Sequence, residues 1–305
     1  MANKDPAMNP SPIALFVYNR LWHAQRTIQA LQNNNLSTAS DLFIFSDGPK
    51  NSDDAVKIAE IRNFLKKVTG FETVTIIERP GNWGLSKSIM SGVGEIVNRF
   101  GKIIVVEDDI VTSPYFLTYM NDALNLYEHE ETVISIHGYV YPMRDTLPEI
   151  FFIKGADCWG WATWKRGWDL FEPDGKILLS KLEQKNLIPE FNFNGSCDYG
   201  SMLRKQISGG NDSWAVRWYA SAFLKNKLTL YPGRIVVVNI GMDGSGIHSG
   251  STNQYSSTLA DSPIVVTPIE TKENFRAREA FEKYFNSLKP TPFRRILKKL
   301  TRLLK

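Results

Sequence analysis

The first half of the chain alternates short apolar runs with longer stretches whose apolar residues recur every three to four positions. The short runs predict buried β-strands at residues 13–18, 41–45, 73–77, 102–106 and 133–136. The longer stretches predict amphipathic helices between them, the first starting near Leu21. A β-α-β-α order of this kind predicts an α/β fold with a mostly parallel central sheet flanked by helices and right-handed crossovers.

Capping residues predict where several of these helices begin and end. Ser52 is suited to cap the second helix, and Gly101 is suited to end the third, which begins at Leu85. Ser113 and Pro114 are suited to open the fourth helix as its N-cap and first residue.

The second half is less regular. The Gly/Trp-rich segment 155–164 reads as a loop that runs into a short helix, and Asn211 or Asp212 is a candidate N-cap for a later helix. Strands are predicted at 228–231 and 235–239, followed by a glycine-rich loop at 241–250. No linker composition occurs before about residue 255, so we expect one domain over 1–255 and a C-terminal extension over 256–305.

Composition is that of an ordinary globular protein, with 43% hydrophobic and 22% charged residues. Two cysteines without close spacing indicate neither a disulfide framework nor a zinc site. The first residues lack the apolar core of a signal peptide, and no apolar run is long enough to span a bilayer. These features predict a cytoplasmic protein.

The net charge of +4 is a property of the C-terminal tail. Six basic residues and no acid lie between Phe293 and Lys305, so residues 1–292 carry the remaining −2. This distribution argues against a nucleic-acid binder, in which basic residues spread over a folded face. Apolar residues recur at helical spacing in the tail, which predicts a basic amphipathic helix at about 292–305. Such a helix binds a membrane interface or docks on protein.

The strand predicted at 102–106 ends in three adjacent carboxylates, Glu107, Asp108 and Asp109. Ligands of open α/β sheets bind beyond the carboxyl ends of the strands, and hard oxygen ligands suit Mg²⁺ or Mn²⁺. Because alternate side chains of an extended chain share a face, Glu107 and Asp109 can point into one pocket. The alternative is a solvated loop opening.

Other polar or glycine-bearing segments follow the neighbouring strands at Asn19-Arg20, Ser46-Asp47-Gly48 and 81–84. These segments should gather at one edge of the sheet. The helix N-terminus at Leu85 to Lys87 would offer backbone N–H groups to a phosphorylated ligand there. Neither a Gly-x-Gly-x-x-Gly nor a Gly-Lys-Ser/Thr motif occurs, so the fingerprints of dinucleotide-binding and P-loop proteins are absent from the sequence.

In order along residues 12–250, these motifs resemble nucleotide-sugar glycosyltransferases of the GT-A (Rossmann-like) fold. The resemblance is to the N-acetylglucosaminyltransferase I-like branch and to bacterial surface-polysaccharide transferases. It is carried by Tyr18-Asn19-Arg20, Ser46-Asp47-Gly48, Asn82-Trp83-Gly84-Leu85, Val106-Glu107-Asp108-Asp109, Gly160-Trp161, Asn211-Asp212-Ser213-Trp214 and Gly246-Ile247-His248-Ser249-Gly250.

The resemblance implies a role for each matching residue on the donor side. Arg20 and Asp47 would hold the nucleotide base; the alternative for Arg20 is to cap a helix or pair with an acid. The triplet matches the family's variant of its Asp-x-Asp motif. Asp109 would then be the direct ligand of Mn²⁺ (or Mg²⁺), with Glu107 and Asp108 on the sugar and ribose of the donor.

The resemblance also points to Asp212 as the base that deprotonates the acceptor hydroxyl, with a plain helix N-cap as the alternative. His248 is the counterpart of a loop residue near the diphosphate, or a surface residue. Further candidate contacts to the nucleotide sugar are Asn19, Gly48, Asn82, Leu85, Lys87 and Trp161. Packing is the alternative for the tryptophan.

The predicted function is a metal-dependent, inverting glycosyltransferase. It would move a hexose or N-acetylhexosamine from a nucleotide diphosphate sugar, UDP-linked by expectation, to a glycan or lipid-linked saccharide in surface-polysaccharide synthesis. The tail would place it on the inner membrane face. The alternatives are a sugar-phosphate nucleotidyltransferase, whose Gly-rich loop is missing after residue 18, and a non-catalytic carbohydrate-binding protein, which the eight tryptophans permit.

Overall fold

The computed structural model describes residues 10–245 and 258–289 of the 305-residue chain. The strands of these residues are β1 (Ile13–Val17), β2 (Asp41–Ser46), β3 (Thr73–Glu78), β4 (Lys102–Glu107), β5 (Ile110–Thr112), β6 (Val133–His137), β7 (Ile150–Lys154), β8 (Trp161–Trp164), β9 (Leu228–Pro232) and β10 (Val237–Asn239). The helices are α1 (Leu21–Gln32), α2 (Ser52–Leu65), α3 (Leu85–Phe100), α4 (Phe116–Leu126), α5 (Lys165–Trp168), α6 (Gly175–Gln184), α7 (Ile188–Phe191), α8 (Tyr199–Ile207), α9 (Trp214–Leu224) and α10 (Phe275–Leu288).

Eight strands form one sheet in the order β3-β2-β1-β4-β8-β6-β9-β7. The pairs from β3 to β4 are parallel, as is β6 with β9, whereas β8 runs antiparallel to both of its neighbours and β7 antiparallel to β9. A separate antiparallel ladder joins β5 to β10. The predicted α/β class, with a mostly parallel central sheet flanked by helices, is confirmed.

Both faces of the sheet are covered, which explains why its strands read as continuous apolar runs. In β1, Ile13 and Leu15 belong to the core on one face, which α1 and α4 cover. The alternate residues Ala14 and Phe16 belong to the core on the other face, beneath α3 and α9. Because β3, β2, β1 and β4 are parallel, their carboxyl ends lie at the same edge of the sheet, and the polar segments follow them there.

Two of the helix starts predicted in the first half of the chain are wrong by one or two residues. Asn51, not Ser52, caps α2, since its side chain accepts a hydrogen bond from the Asp54 backbone N–H. Helix α4 begins two residues beyond Pro114, in the turn that Ser113 opens. Gly101 ends α3 in the left-handed conformation, as predicted.

The prediction of a loop over residues 155–164 is wrong for the last four residues, because 161–164 form strand β8 in the middle of the sheet. All four residues of β8 are buried, with Ala162 and Thr163 fitting between β4 and β6. The described part of the C-terminal extension packs on the body, where Phe281 of α10 is 1% exposed. No helix within residues 10–245 and 258–289 is long and apolar enough to cross a bilayer. The predicted helix at about 292–305 lies outside the described residues, and the boundary at residue 255 stays a prediction.

Candidate functional site

A cavity of about 420 Å³ lies at the carboxyl ends of β1, β2 and β4. Nine of the thirteen residues predicted for the site line it, so the structure brings together segments that are up to 193 positions apart in sequence, from Asn19 to Asp212. They are Asn19, Arg20, Asp47, Asn82, Leu85, Glu107, Asp108, Asp109 and Asp212.

The acidic triplet forms the floor of this cavity with Arg20. Asp108 is 5% exposed and accepts hydrogen bonds from the Tyr18 backbone N–H (3.4 Å) and from Arg20. Asp109 accepts a hydrogen bond from Arg20 Nη2 at 2.7 Å. Asp108 is therefore turned toward β1, while Glu107 and Asp109 remain partly exposed.

The triplet holds more negative charge than its guanidinium partner offsets. Burial raises the pKa of Glu107 to about 8, and the neighbouring carboxylates Asp109 and Asp108 add to this effect. Burial also raises the pKa of Asp108 to about 6, although Arg20 opposes the shift. For Arg20, burial disfavours the charge, but the two aspartates outweigh it and raise the guanidinium pKa. The cluster would be stabilised by further positive charge.

Two atoms of the cluster indicate where a ligand would bind. Arg20 Nη1 is buried and has no hydrogen-bond partner among the described residues, so it can donate to an oxygen of a ligand. Gly241 lies so close that a Cβ atom there would be 2.1 Å from Asp109 Oδ2 and 2.8 Å from Arg20 Nη1. The glycine keeps space open beside the carboxylate.

The carboxylate oxygens at the cavity fit a hard divalent cation that takes most of its coordination from a phosphorylated ligand and from water. Within the described residues, no group of three or more His, Cys, Asp or Glu side chains is arranged to hold a metal ion. Mg²⁺-type ions commonly use one or two carboxylates and complete their coordination with phosphate oxygens and water. Asp109, which lines the cavity, suits that arrangement.

Asp47 fixes the turn that precedes α3. Its Oδ1 accepts from the backbone N–H groups of Gly48 and Trp83, both at 2.9 Å. Its Oδ2 accepts from Gly84 N at 2.9 Å and from Asn82 Nδ2 at 3.1 Å. Both oxygens are thus engaged by the turn, and the visible role of Asp47 is to position the start of α3. Its contact with a nucleotide base stays a prediction.

The predicted helix N-terminus at the cavity is confirmed, because α3 begins at Leu85, which lines it. Gly48 allows the turn to approach closely, since a Cβ atom there would lie 2.5 Å from the Gly81 backbone. Lys87 does not line the cavity. Its side chain is exposed, with Nζ 4.5 Å from the centre of the Trp83 ring. Any contribution of Lys87 to the site comes from its backbone.

Asp212 stands at the cavity mouth, next to Gly84. The prediction that Asn211 or Asp212 caps the following helix is wrong, because Ser213 Oγ accepts the capping hydrogen bond from Val216 N at 3.2 Å. The Asp212 carboxylate is therefore not used by the helix end, and its side chain is 63% exposed. Arg217 Nη2 lies 3.7 Å from Asp212 Oδ1, which limits its movement electrostatically.

Trp161 does not line the cavity, in contrast to the prediction. It is fully buried in a cluster of aromatic rings with Trp168, Trp214 and Trp218, at centroid distances of 5.4–5.9 Å. Its neighbour Trp159, two residues earlier, lines the cavity instead. His248 lies outside the described residues.

Sequence reasoning missed several other lining residues. Tyr18 directly precedes the predicted Asn19-Arg20 pair and donates a hydrogen bond to Asp54 Oδ2 at 2.6 Å. Its position at the end of β1 could have identified it. Asn239, whose Nδ2 lies 3.5 Å from Asp109 Oδ1, is brought there by the ladder between β5 and β10. The sequence pattern does not predict that β10 pairs with β5.

No protein-family model matches the chain, and no curated protein matches it. Among solved structures, the chain is similar to a mannosyltransferase, PcManGT from Pyrobaculum calidifontis, in complex with GDP-Man and Mn²⁺. The identity is 13% and the TM-score 0.33, over 47% of this chain and 41% of that one. This likeness is distant and covers less than half of each chain.

Proposed function

We propose that the protein is a metal-dependent, inverting glycosyltransferase that uses a nucleotide diphosphate sugar. The donor would be a UDP-linked hexose or N-acetylhexosamine, and the acceptor a hydroxyl of a glycan or lipid-linked saccharide. The observation that carries the proposal is the convergence of the acidic triplet, Arg20, the turn held by Asp47 and the acid Asp212 on one cavity.

On the donor side, each group has a distinct task. Arg20 offers its unpartnered Nη1 to an oxygen of the nucleotide. The first turn of α3, which opens at Leu85, offers backbone N–H groups and the positive end of a helix dipole to the diphosphate. Glu107, which is partly exposed, and Asp108 would accept hydrogen bonds from hydroxyls of the donor's sugar and ribose.

Asp109 is the proposed ligand of Mn²⁺ or Mg²⁺. When bound, the ion would act as a Lewis acid that stabilises the developing charge of the diphosphate leaving group. Asp109 would orient it, Gly241 would leave room beside it, and Arg20 would hold the carboxylate in place through the 2.7 Å contact.

On the acceptor side, Asp212 is the proposed general base. An alcohol is a poor nucleophile at neutral pH unless a carboxylate within hydrogen-bond reach takes its proton. The Asp212 carboxylate is exposed to solvent and does not cap helix α9, so it can accept that proton. One acid at the metal and one remote base fit a single displacement with inversion better than a double displacement.

The test is turnover with Mn²⁺ and a panel of sugar nucleotides. Release of free nucleoside diphosphate, lost without metal, is the expected result. Pyrophosphate released from a nucleoside triphosphate plus sugar phosphate would indicate a nucleotidyltransferase instead. Absence of turnover together with glycan binding would indicate a carbohydrate-binding protein.

The base assignment has a separate test. Asp212→Asn should bind donor normally and lose roughly 10²–10⁴-fold in transfer rate. Near-normal transfer by this variant would place the base elsewhere.

We further propose that the basic tail brings the enzyme to the inner membrane face, where a lipid-linked acceptor for surface-polysaccharide synthesis would lie. The support is its sequence pattern of apolar residues at helical spacing with six basic residues between them. Deleting residues 292–305 should abolish binding to anionic liposomes, and undiminished binding would refute the idea.

A further inference from the structure

The loop before β8 lines one side of the cavity. The proposed function assigns no contact with the nucleotide sugar to this loop. In the antiparallel pairing of β4 with β8, Val105 lies opposite Trp161. Strand β4 continues from Val105 to Glu107, so the residues just before Trp161 must run beside the triplet. Trp159 accordingly lines the cavity, with its ring 4.8 Å from that of Tyr139 in an edge-on contact.

Asp157 lies in this loop, two residues before Trp159. Its Oδ1 accepts a hydrogen bond from the Cys158 backbone N–H at 2.9 Å, and its Oδ2 accepts one from the Tyr231 hydroxyl at 3.3 Å. The side chain is 25% exposed. Each carboxylate oxygen has two lone pairs, so each retains the capacity to accept a further hydrogen bond.

The charge of Asp157 is not neutralised by its surroundings. No lysine or arginine of the described residues forms an ion pair with it; its nearest basic group is His137, with Nε2 at 3.7 Å. His137 is 1% exposed, and burial lowers its pKa although Asp157 opposes the shift. The imidazole is therefore neutral at physiological pH and offers Asp157 no compensating positive charge.

The same loop links Asp157 electrostatically to the triplet. Burial raises the pKa of the Cys158 thiol, and the carboxylates of Asp157, Glu107 and Asp109 raise it further. The partly exposed Cys158 side chain therefore lies within electrostatic reach of acids of both the loop and the triplet. This agrees with the strand register in placing the loop beside the triplet. Trp159 lines the cavity, and Asp157 lies two residues earlier, held by Tyr231.

We propose that Trp159 and Asp157 form the subsite for the acceptor sugar. The indole of Trp159 would stack on the CH face of the ring, and the free lone pairs of Asp157 would accept hydrogen bonds from ring hydroxyls other than the attacking one. Tyr231 and the Cys158 N–H hold the carboxylate in position. This inference rests on the proposed function, since it assigns the second substrate of that reaction.

The subsite commits the acceptor to a chemical class. A carboxylate without a cationic partner attracts hydroxyl donors and repels carboxylates, because like charges at close range in a partly buried site are costly. The acceptor residue should therefore be a neutral hexose or N-acetylhexosamine with free hydroxyls. A uronic acid or another anionic sugar would bind poorly.

The test uses neutral methyl glycosides of glucose, galactose, mannose and N-acetylglucosamine as probes. They are added to enzyme, Mn²⁺ and one sugar nucleotide. This donor is the sugar nucleotide that the enzyme hydrolyses fastest in the absence of an acceptor. In the wild type, at least one glycoside should accelerate release of nucleoside diphosphate in a saturable way. Asp157→Asn should raise its half-saturating concentration about tenfold or more, the effect of losing hydrogen bonds to a charged group.

Asparagine can keep the contacts with Cys158 N–H and Tyr231, so the variant should fold. Its maximal rate and its slow hydrolysis of donor should stay within about threefold of wild type. Trp159→Ala should act like Asp157→Asn, and Asp169→Asn, an exposed acid paired with Lys165, is the matched control. An unchanged half-saturating concentration in Asp157→Asn, or an equal loss in donor hydrolysis, would overturn the proposal.

Failure of the proposed function would be recognised separately. If wild-type protein releases no nucleoside diphosphate from any sugar nucleotide, the transferase assignment fails. Saturation-transfer NMR with the same methyl glycosides then decides the subsite: binding that disappears in Asp157→Asn supports it. Binding that persists in Asp157→Asn, or absence of binding in the wild type, overturns it.

Discussion

Replacing Asp47 with alanine should both destabilise the protein and disable its nucleotide site. In the folded chain this carboxylate, 5% exposed, accepts hydrogen bonds from three backbone N–H groups at 2.9 Å, those of Gly48, Trp83 and Gly84. Alanine leaves all three donors without their acceptor.

The magnitude follows from the burial of those donors. A buried donor that loses its partner costs about 1–3 kcal/mol. Gly48 is buried, whereas Trp83 and Gly84 are partly exposed and can be rehydrated at a lower cost. We therefore expect Asp47→Ala to lower the free energy of unfolding by about 2–4 kcal/mol. The turn would also loosen, so the N-terminus of α3 would no longer be fixed at the cavity.

The assay is urea unfolding followed by tryptophan fluorescence, together with calorimetric titration of nucleoside diphosphate. Asp53→Ala is the matched control. It removes an exposed acid from the first turn of α2, where a favourable dipole interaction is worth only about 0.3–1 kcal/mol. If Asp47→Ala loses less than about 1 kcal/mol and binds nucleotide normally, the role assigned to Asp47 is refuted.

Three further variants test other parts of the site. Gly241→Ala should weaken metal-dependent nucleotide binding by about tenfold or more without unfolding the chain, because its Cβ would lie 2.1 Å from Asp109 Oδ2. Gly81→Ala, where a Cβ meets no atom within 4 Å, is its control, and equal titrations for the two would contradict the expectation. Trp161→Phe should lower the unfolding free energy by roughly 1–3 kcal/mol, with nucleotide affinity unchanged, because it removes part of a fully buried indole and leaves space in the core. A selective loss of affinity at normal stability would instead return Trp161 to the site. Lys87→Ala should leave nucleotide affinity within about twofold, since the Lys87 side chain is exposed, lies over the Trp83 ring and does not line the cavity.

The first half of the fold could be predicted because its strands are buried on both faces. Such strands read as uninterrupted apolar runs, and the helices between them have a clear period. Strand β8 could not be predicted in this way. Its four residues, flanked by Gly160 and a short helix, carry tryptophans at both ends and resemble a loop composition. Only its pairing with β4 and β6 makes it a strand.

The same physics explains the outcome for the site. Residues at the ends of parallel strands had to meet, so Arg20, Asp47 and the triplet could be predicted from order alone. The choice between Trp159 and Trp161 depends on the register of β8 and on where its loop begins, which the sequence does not encode locally. The hydrogen bonds from the turn at residues 81–84 to both Asp47 oxygens likewise depend on tertiary structure and could not be predicted from the sequence.

The most direct test of the central claim is the affinity for a nucleoside diphosphate, with and without Mn²⁺, in wild type and Asp109→Ala. In the wild type, Mn²⁺ should raise the affinity for UDP by about tenfold or more, since Asp109 would hold the ion and its positive charge would favour binding of the diphosphate. In Asp109→Ala this gain should disappear, while the melting temperature stays near that of wild type. A full Mn²⁺-dependent gain in the variant, or none in the wild type, would contradict the account.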